Sequence, residues 1–306
     1  MNSKKIIKTF QKMRQSTRAN ARAPHKPLLV LYAIGRLLQD GTYLFRYREI
    51  DKKLGKLLEE FGPSQTKSRT HYPFWRLKND KIWEIPDPNK KYIRQTSEKD
   101  AFKSDLRKYN ITGGFRKTIA DQFLEDFKLV SEIIQILLYN NFPYSIHEDI
   151  LQAVEIESPL QIFQWQMPDS KQRKRDSKFR SKILRAYEEK CAVCGFDVKL
   201  RHQPVALEAA HIRWHQANGP DKEVNGLALC SLHHKLFDRG AFTLSEERQI
   251  LVSKDADGSV GFEEWLMEFH GKKMNFPQRQ SDYPAPEFTS WHIKEVFKGD
   301  YREVNR

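Results

Sequence analysis

All three cysteines of this 306-residue chain, Cys191, Cys194 and Cys230, fall within one stretch of 40 residues, arranged as CAVC (191–194) and CSLH (230–233). An odd cysteine count in a reducing compartment argues against a disulfide framework and for metal ligation. The C-x-x-C knuckle and the C-x-x-H pair together offer three thiolates and one imidazole, a closed tetrahedral set suited to structural Zn²⁺. Cys230 and His233, spaced i and i+3 on a predicted helix, can reach one ion together. Simple packing of three buried cysteines would leave the two paired spacings unexplained. Any fold of this chain must therefore bring 191–194 and 230–233 together. Next to His233 stands His234, about 100° further round the helix and so aimed away from that ion.

Composition narrows the class. A hydrophobic content of 39% and an aromatic content of 12% belong to a folded protein. No apolar run approaches the ~18–20 residues of a membrane span. The opening MNSKKIIKTFQKMRQSTRAN has basic residues without an apolar core, unlike a signal peptide, so a cytoplasmic protein is expected. The formal charge is +13 and unevenly spread: residues 1–155 carry 29 Lys/Arg against 18 Asp/Glu, and residues 156–306 carry 24 against 22. Solubility alone would not concentrate charge in this way, and a polyanion held largely by the first half is expected.

The length suits two domains. In residues 1–155, PHKPLLVLYAIGRLLQDG reads as a buried helix over about 27–39, with Pro27 at its first turn and Gly41 past its end. YREIDKKLGKLLEEFG is an amphipathic helix closed by Gly62 and Pro63, and DAFKSDLRKY and the long IADQFLEDFKLVSEIIQILLYNNF supply one helix each. TYLFRY and DKIWEI are short strand candidates. Residues 156–177 read as a basic linker; 171–185 hold eight Lys/Arg and one acidic residue, suited to a DNA backbone. Residues 178–306 change to short strands, loops and short helices. The predicted fold class is α+β: a mostly α N-terminal domain joined to a smaller C-terminal domain built around the zinc.

Between the two knuckles lies VALEAAHIRWHQANGPDKEVNGLALC. An alternating strand delivers His211, Asn225-Gly226 turns into a second apolar run, and His234 follows nine residues after Asn225. The ordered pattern LEAAHI…NGLALC…HHKLFDRG, with a helix before CAVC and TSWHIKEVF near the end, resembles the HNH nucleases of the ββα-metal kind over about 178–297. The resemblance implies His211 as general base, Asn225 as the amide that holds the loop and orients the base, and His234 as ligand of one catalytic divalent cation, Mg²⁺ or Mn²⁺. The chemistry suits these residue types: a neutral imidazole takes a proton from water near pH 7, and a cation stabilises the departing oxyanion. On this reading His234 is expected to face His211. Many relatives carry an acidic metal ligand directly before the base, where this chain has Ala210. Glu208, Asp221 and Asp238 are the nearby acids, and strand alternation places Glu208 on the face away from His211. His202 and His215 flank the motif as surface or phosphate contacts.

RAPHKPLLVLYAIGRL and THYPFWRLKNDKIWEI carry a second resemblance, to the sulfur-binding domain of phosphorothioate-dependent type IV (McrA-like) restriction endonucleases. That domain precedes an HNH domain in the same order. A phosphorothioate keeps its charge but replaces an oxygen by a larger, softer sulfur, so its reader needs an apolar, shape-matched pocket beside cationic donors. The family's Tyr-Pro pair is matched by Tyr72-Pro73, followed by Phe74 and Trp75. Its His-Arg-Pro run is matched by His25-Lys26-Pro27, where lysine removes a bidentate fork. Arg69 and Arg76 suit the flanking backbone, and a further basic contact is expected from 91–108. Without the resemblance, YPFW is core aromatic packing and HKPLL a helix start.

Together these expectations describe an endonuclease on phosphorothioate-modified double-stranded DNA, with residues 1–155 as reader, 156–177 as linker and 178–306 as a zinc-containing HNH nuclease domain. A homodimer is expected because cutting both strands needs two active sites. The alternatives are an HNH endonuclease that reads another mark, such as a modified cytosine, and a DNA-binding protein whose HNH fold is only a zinc scaffold.

Overall fold

The computed structural model describes residues 2–18, 21–63, 69–156 and 178–304. The predicted linker 156–177 therefore lies, apart from Ile156, outside the described residues, as does the first part of the basic run 171–185. The chain divides into two compact units, one ending near 171 and one beginning near 172.

The N-terminal unit is mostly helical. Helix α1 (Ser3–Gln11) packs on the long α7 (Phe127–Asn141), and α2 (His25–Asp40) packs on α3 (Tyr47–Phe61), α4 (His71–Arg76) and α7. From Leu28 to Ile34 helix α2 is buried at every position, which is why its sequence is apolar nearly all round. The two expected strands form as β1 (Leu44–Arg46) and β2 (Trp83–Glu84), but they do not pair with each other. A strand unforeseen in the sequence, β3 (Thr112–Phe115), lies between them in a three-stranded antiparallel sheet, with Phe45 opposite Gly113 and Trp83 opposite Phe115. Its TGGF sequence has little strand propensity. Close approach explains the glycines, because a Cβ at Gly114 would sit 1.8 Å from the Tyr43 carbonyl oxygen. Helix α5 (Lys103–Tyr109) forms where DAFKSDLRKY was expected to be helical.

The predicted single long helix is two: α6 (Lys117–Glu125) and α7, divided at Asp126. Asp126 leaves helical geometry (φ −125°, ψ 85°), and its carboxylate accepts from the Leu129 amide at 3.0 Å and from Ser3 Oγ at 3.2 Å. An aspartate that caps the next helix outweighs continuous apolar periodicity. Helix α8 (His147–Ala153) closes this unit.

The C-terminal unit begins with α9 (Phe179–Ala186) and the CAVC loop. A short hairpin, β4 (Lys199–Leu200) with β5 (Gln203–Pro204), leads to the central pair β6 (Leu207–His211) and β7 (Gly226–Cys230). The pairing is antiparallel, with Glu208 opposite Leu229 and His211 opposite Gly226. Strand β7 runs straight into α10 (Ser231–Asp238), so two strands and a helix follow one another as the ββα pattern requires. A second hairpin, β8 (Phe242–Leu244) with β9 (Ile250–Val252), α11 (Val260–Trp265) and α12 (Pro286–Glu295) complete the unit. His292 of α12 is wholly buried, with its ring stacked on Phe237 of α10 at 3.7 Å and its nitrogens bonded to Thr243 and to the Phe237 carbonyl. Among the described residues no helix is long and apolar enough to cross a membrane.

Candidate functional site

The four predicted zinc ligands come together. Ligand atoms of Cys191, Cys194, Cys230 and His233 all lie within 4.8 Å of one another, and among the described residues no other group of His, Cys, Asp or Glu meets that test. Nδ1 of His233 is 3.1 Å from the Cys230 sulfur and 3.7 Å from that of Cys191, and the Cys194 and Cys230 sulfurs are 4.0 Å apart. Tetrahedral coordination with bonds of about 2.3 Å to sulfur sets such edges near 3.8 Å, so the donor set fits a metal ion. His233 is fully buried, and its Nε2–H donates to the Trp265 carbonyl at 2.8 Å, which leaves Nδ1 bare for the ion. Hydrogen bonding within the cluster pushes the Cys191 thiol far down and the Cys194 thiol far up. Three sulfurs competing for a proton is the arrangement that a cation resolves.

The paired strands and α10 place the three HNH residues. Asn225 is fully buried at the head of β7 and clamps the loop after β6. Its Oδ1 accepts from the Arg213 amide at 2.9 Å, and its Nδ2 donates to the carbonyls of Arg213 (3.1 Å) and Pro220 (3.0 Å). Gly219 lies in the same loop because a Cβ there would fall 1.8 Å from the Arg213 carbonyl oxygen. His211 ends β6, its ring stacked on Phe179 of α9 (centroids 4.0 Å apart, 13° between planes) and its Nε2 donating to Asp221 at 2.8 Å.

His234 is held between two carboxylates. Its Nδ1 meets Glu208 at 2.6 Å and its Nε2 meets Asp238 at 3.1 Å. Burial disfavours a charged ring, but Asp238 and Glu208 outweigh it and push His234 up to about 10. The His234 bond holds the Glu208 carboxyl below its ordinary range against partial burial. Strand alternation sets Glu208 apart from His211, and its carboxylate reaches His234 instead. Glu208 lies opposite Leu229, two residues before α10, and accepts from Ser231 Oγ at 2.7 Å, which turns its carboxylate onto His234. The neighbours of the His234 nitrogens are thus carboxylates rather than His211. Asp238 is itself fixed by the Trp214 indole N–H at 3.0 Å. Of the flanking histidines, His215 sits 5.9 Å from the His211 ring and His202 is exposed at the β4–β5 turn.

In the N-terminal unit the two motif segments meet, because α2, opening at His25, packs on α4, which carries Tyr72 and Pro73. His25 is half-buried, and burial together with the nearby Arg69 pushes it down to about 4, so it is a neutral donor and acceptor at pH 7. Arg69 is exposed and Tyr72 half-buried beside His71, ring centroids 4.1 Å apart. Pro27 and Pro73 are buried in the packing between these helices. The remaining positions are engaged inside the unit. Lys26 donates to Asp80 and to the Arg14 carbonyl at 2.7 Å. Arg76 forks onto Asp100 and lies over the Tyr72 ring at 4.7 Å. Phe74 is fully buried against Tyr47 and Trp83. The 91–108 segment contributes Lys103 and Arg107, both paired with Asp51 at 2.8 and 2.5 Å. Asp51 also accepts from Thr70, directly before His71, whose ring burial and the charge of Lys103 push down. Asp51, Asp80 and Asp100 carry no motif and stand 19 to 56 residues from the side chains they bond, so no local signal points to them.

Comparison with known proteins agrees with this layout. The family described as ScoMcrA-like, DNA sulfur-binding domain matches residues 3–159, and the HNH endonuclease family matches residues 191–245. No curated protein matches the chain. Among solved structures, the sulfur-binding domain of ScoMcrA complexed with phosphorothioated DNA is 19% identical over 49% of this chain and 94% of that one, with a TM-score of 0.43. The sulfur-binding domain of SprMcrA complexed with phosphorothioated DNA is 18% identical over 51% and 95%, also at 0.43. The type IV phosphorothioation-dependent restriction endonuclease ScoMcrA is 19% identical over 48% of this chain and 32% of that chain, with a TM-score of 0.40.

Proposed function

Because the chain belongs to the ScoMcrA-like DNA sulfur-binding domain family and matches an HNH endonuclease family behind that domain, we propose that it is a modification-dependent endonuclease that reads phosphorothioated DNA and cuts a nearby phosphodiester. One observation carries this reading: a sulfur-binding family match over residues 3–159 is followed in the same chain by an HNH endonuclease match over residues 191–245. Around the modified phosphate, Tyr72 offers an apolar ring, Arg69 a charge for the adjoining backbone and His25 an uncharged donor. Lys26, Arg76 and Phe74 act from behind this surface, holding α2 and α4 in place.

The Cys₃His cluster holds Zn²⁺ and fixes the junction of β7 and α10. Glu208 and Nδ1 of His234 would hold the catalytic cation, Mg²⁺ or Mn²⁺. Asp238, buried and anchored by Trp214, keeps Nε2 protonated, which directs Nδ1 to the ion, as carboxylate–histidine pairs do in metal sites. Two ligands of one such ion lie roughly 3 Å apart, close to the present Glu208–His234 spacing of 2.6 Å. Held there, a divalent cation supplies Lewis acidity toward the scissile phosphate and its leaving oxygen. His211 takes the proton of the attacking water; the new P–O bond forms as the bond to the leaving oxygen breaks, and that oxygen recovers a proton from solvent.

The deciding experiment is a pair of gel shifts with duplexes of one sequence, with and without phosphorothioate, alongside cleavage in Mn²⁺. Preferential binding of the modified duplex, with cleavage lost in His211→Ala, is expected. Equal binding of both duplexes removes the sulfur reading. Cleavage of the modified duplex at an unchanged rate by His211→Ala removes the assignment of the base.

A further inference from the structure

We propose that Asp221 is a positioning residue that sets the His211 imidazole for proton abstraction, and that the buried Asn225 acts on the base through it. This rests on the reading of His211 as general base. The Asp221 carboxylate accepts from Nε2 of His211 at 2.8 Å, so Nε2 carries the hydrogen and Nδ1 keeps the lone pair. Both side chains are largely withdrawn from solvent, at 12% and 13% exposure. Phe179 lies flat on the imidazole and holds its plane, and the ring of His215 lies 5.9 Å away. A neutral imidazole free to turn divides its time between two tautomers and many orientations; a fixed carboxylate selects one and stabilises the imidazolium formed as water gives up its proton.

The loop that carries Asp221 is over-determined. Pro220, the preceding residue, gives its carbonyl to Asn225 Nδ2 at 3.0 Å. Gly219, before that, is pressed against the Arg213 carbonyl too closely for any side chain. Arg213 is in turn held by both ends of the Asn225 amide. The middle residue of the HNH motif thus grips the chain on either side of the 214–219 turn and delivers the carboxylate to the base. Asp221 is bonded to the base at the C-terminal end of β6, whereas Glu208 and Asp238 are bonded to His234.

The test uses the full chain in single-turnover cleavage of a phosphorothioated duplex with Mn²⁺, over a range of pH. Asp221→Asn is expected to slow cleavage by on the order of 10²- to 10⁴-fold, the range that a well-set general base contributes. DNA affinity, zinc content and the half-saturating Mn²⁺ concentration should stay as in the parent chain. Removing the negative charge disfavours imidazolium, so the acidic limb of the rate–pH profile should move to lower pH. Asp221→Glu should recover part of the rate. Asn225→Asp, which keeps Oδ1 and loses the Nδ2 donors, combined with Asp221→Asn should cost no more than the worse single change.

An unchanged rate and pH profile in Asp221→Asn, with His211→Ala inactive, overturns the role of Asp221 and leaves His211 in place. A raised half-saturating Mn²⁺ concentration makes Asp221 a cation ligand and equally overturns it. Additive losses in the double variant overturn the link from Asn225. Full cleavage by His211→Ala removes the base and this inference with it.

Discussion

His233 and His234 adjoin in sequence, yet replacing them should have different consequences. His233→Ala deletes a fully buried ring that packs edge-on against Phe242 and Phe269. Truncating a buried side chain of that size costs about 2–5 kcal/mol. The Trp265 carbonyl, which accepts from Nε2, loses its donor at about 1–3 kcal/mol more. Together these reach about 3–8 kcal/mol, against the 5–15 kcal/mol by which a typical domain is stable. The ion is a further loss, since structural zinc contributes roughly 10–16 kcal/mol to small zinc domains and one of its four ligands is gone. The C-terminal unit should therefore unfold. His234→Ala keeps all four ligands and leaves Asp238 bonded to Trp214, so that unit should stay folded and zinc-loaded but inactive. Metal analysis after gel filtration, with hydrogen–deuterium exchange resolved along the chain, separates the two cases. His233→Ala should lose zinc and the protection of 207–238 while 25–63 and 103–156 stay protected. Full zinc content and parental protection in His233→Ala would refute this division of labour.

Other outcomes are open to the same kind of check. Glu208→Gln should raise the Mn²⁺ concentration needed for half-maximal cleavage by about 10–100-fold with little effect on DNA binding, measured by titrating the metal. His292 is held near 4, against an ordinary 6.5, because its burial outweighs the Phe237 carbonyl bond and the charge of Asp238. A depressed histidine stabilises the fold fully above pH 6.5, and that contribution fades as pH falls toward 4, a loss of about 3 kcal/mol to be read from melting temperatures of the C-terminal unit. Lys26→Met should destabilise the N-terminal unit by about 3–5 kcal/mol, because Asp80 keeps a buried charge without its partner; chemical denaturation would check it. Gly114→Ala should prevent the three-stranded sheet from closing and abolish DNA binding, since the clash is with backbone that cannot turn aside.

How much of this is readable in the sequence depends on the range of the interaction. The amphipathic pattern of α3 and the apolar run of α2 between Pro27 and Gly41 are local properties of each helix, and the Cys₃His donors announce themselves by spacing. Strand β3 hides because its glycines answer to Tyr43 and Phe74, far away in the chain, and so contradict local propensity. The break at Asp126 hides because a capping aspartate inside an apolar repeat looks like a solvent-facing residue. At the nuclease site the HNH residues and the nearby acids are visible, whereas the pairing of each acid with its histidine is not. Asp221 reaches His211 only after a clamped turn, and Glu208 turns onto His234 only because Ser231 holds it. In the N-terminal unit, position alone suggests that Lys26, Phe74 and Arg76 face DNA. Position says nothing of the partners that Asp80, Asp100 and the aromatic core supply to these three from within the unit.

Cys230 is at once the last residue of β7, the residue that caps α10 and a ligand of the Cys₃His cluster. The join between strand and helix therefore rests on one residue with two duties, since Cys230 is both a buried member of the packed core and one of the four clustered donors. A change at that position would disturb strand, helix and donor set together, whereas a change at Leu227 or Leu229 would disturb the packing alone.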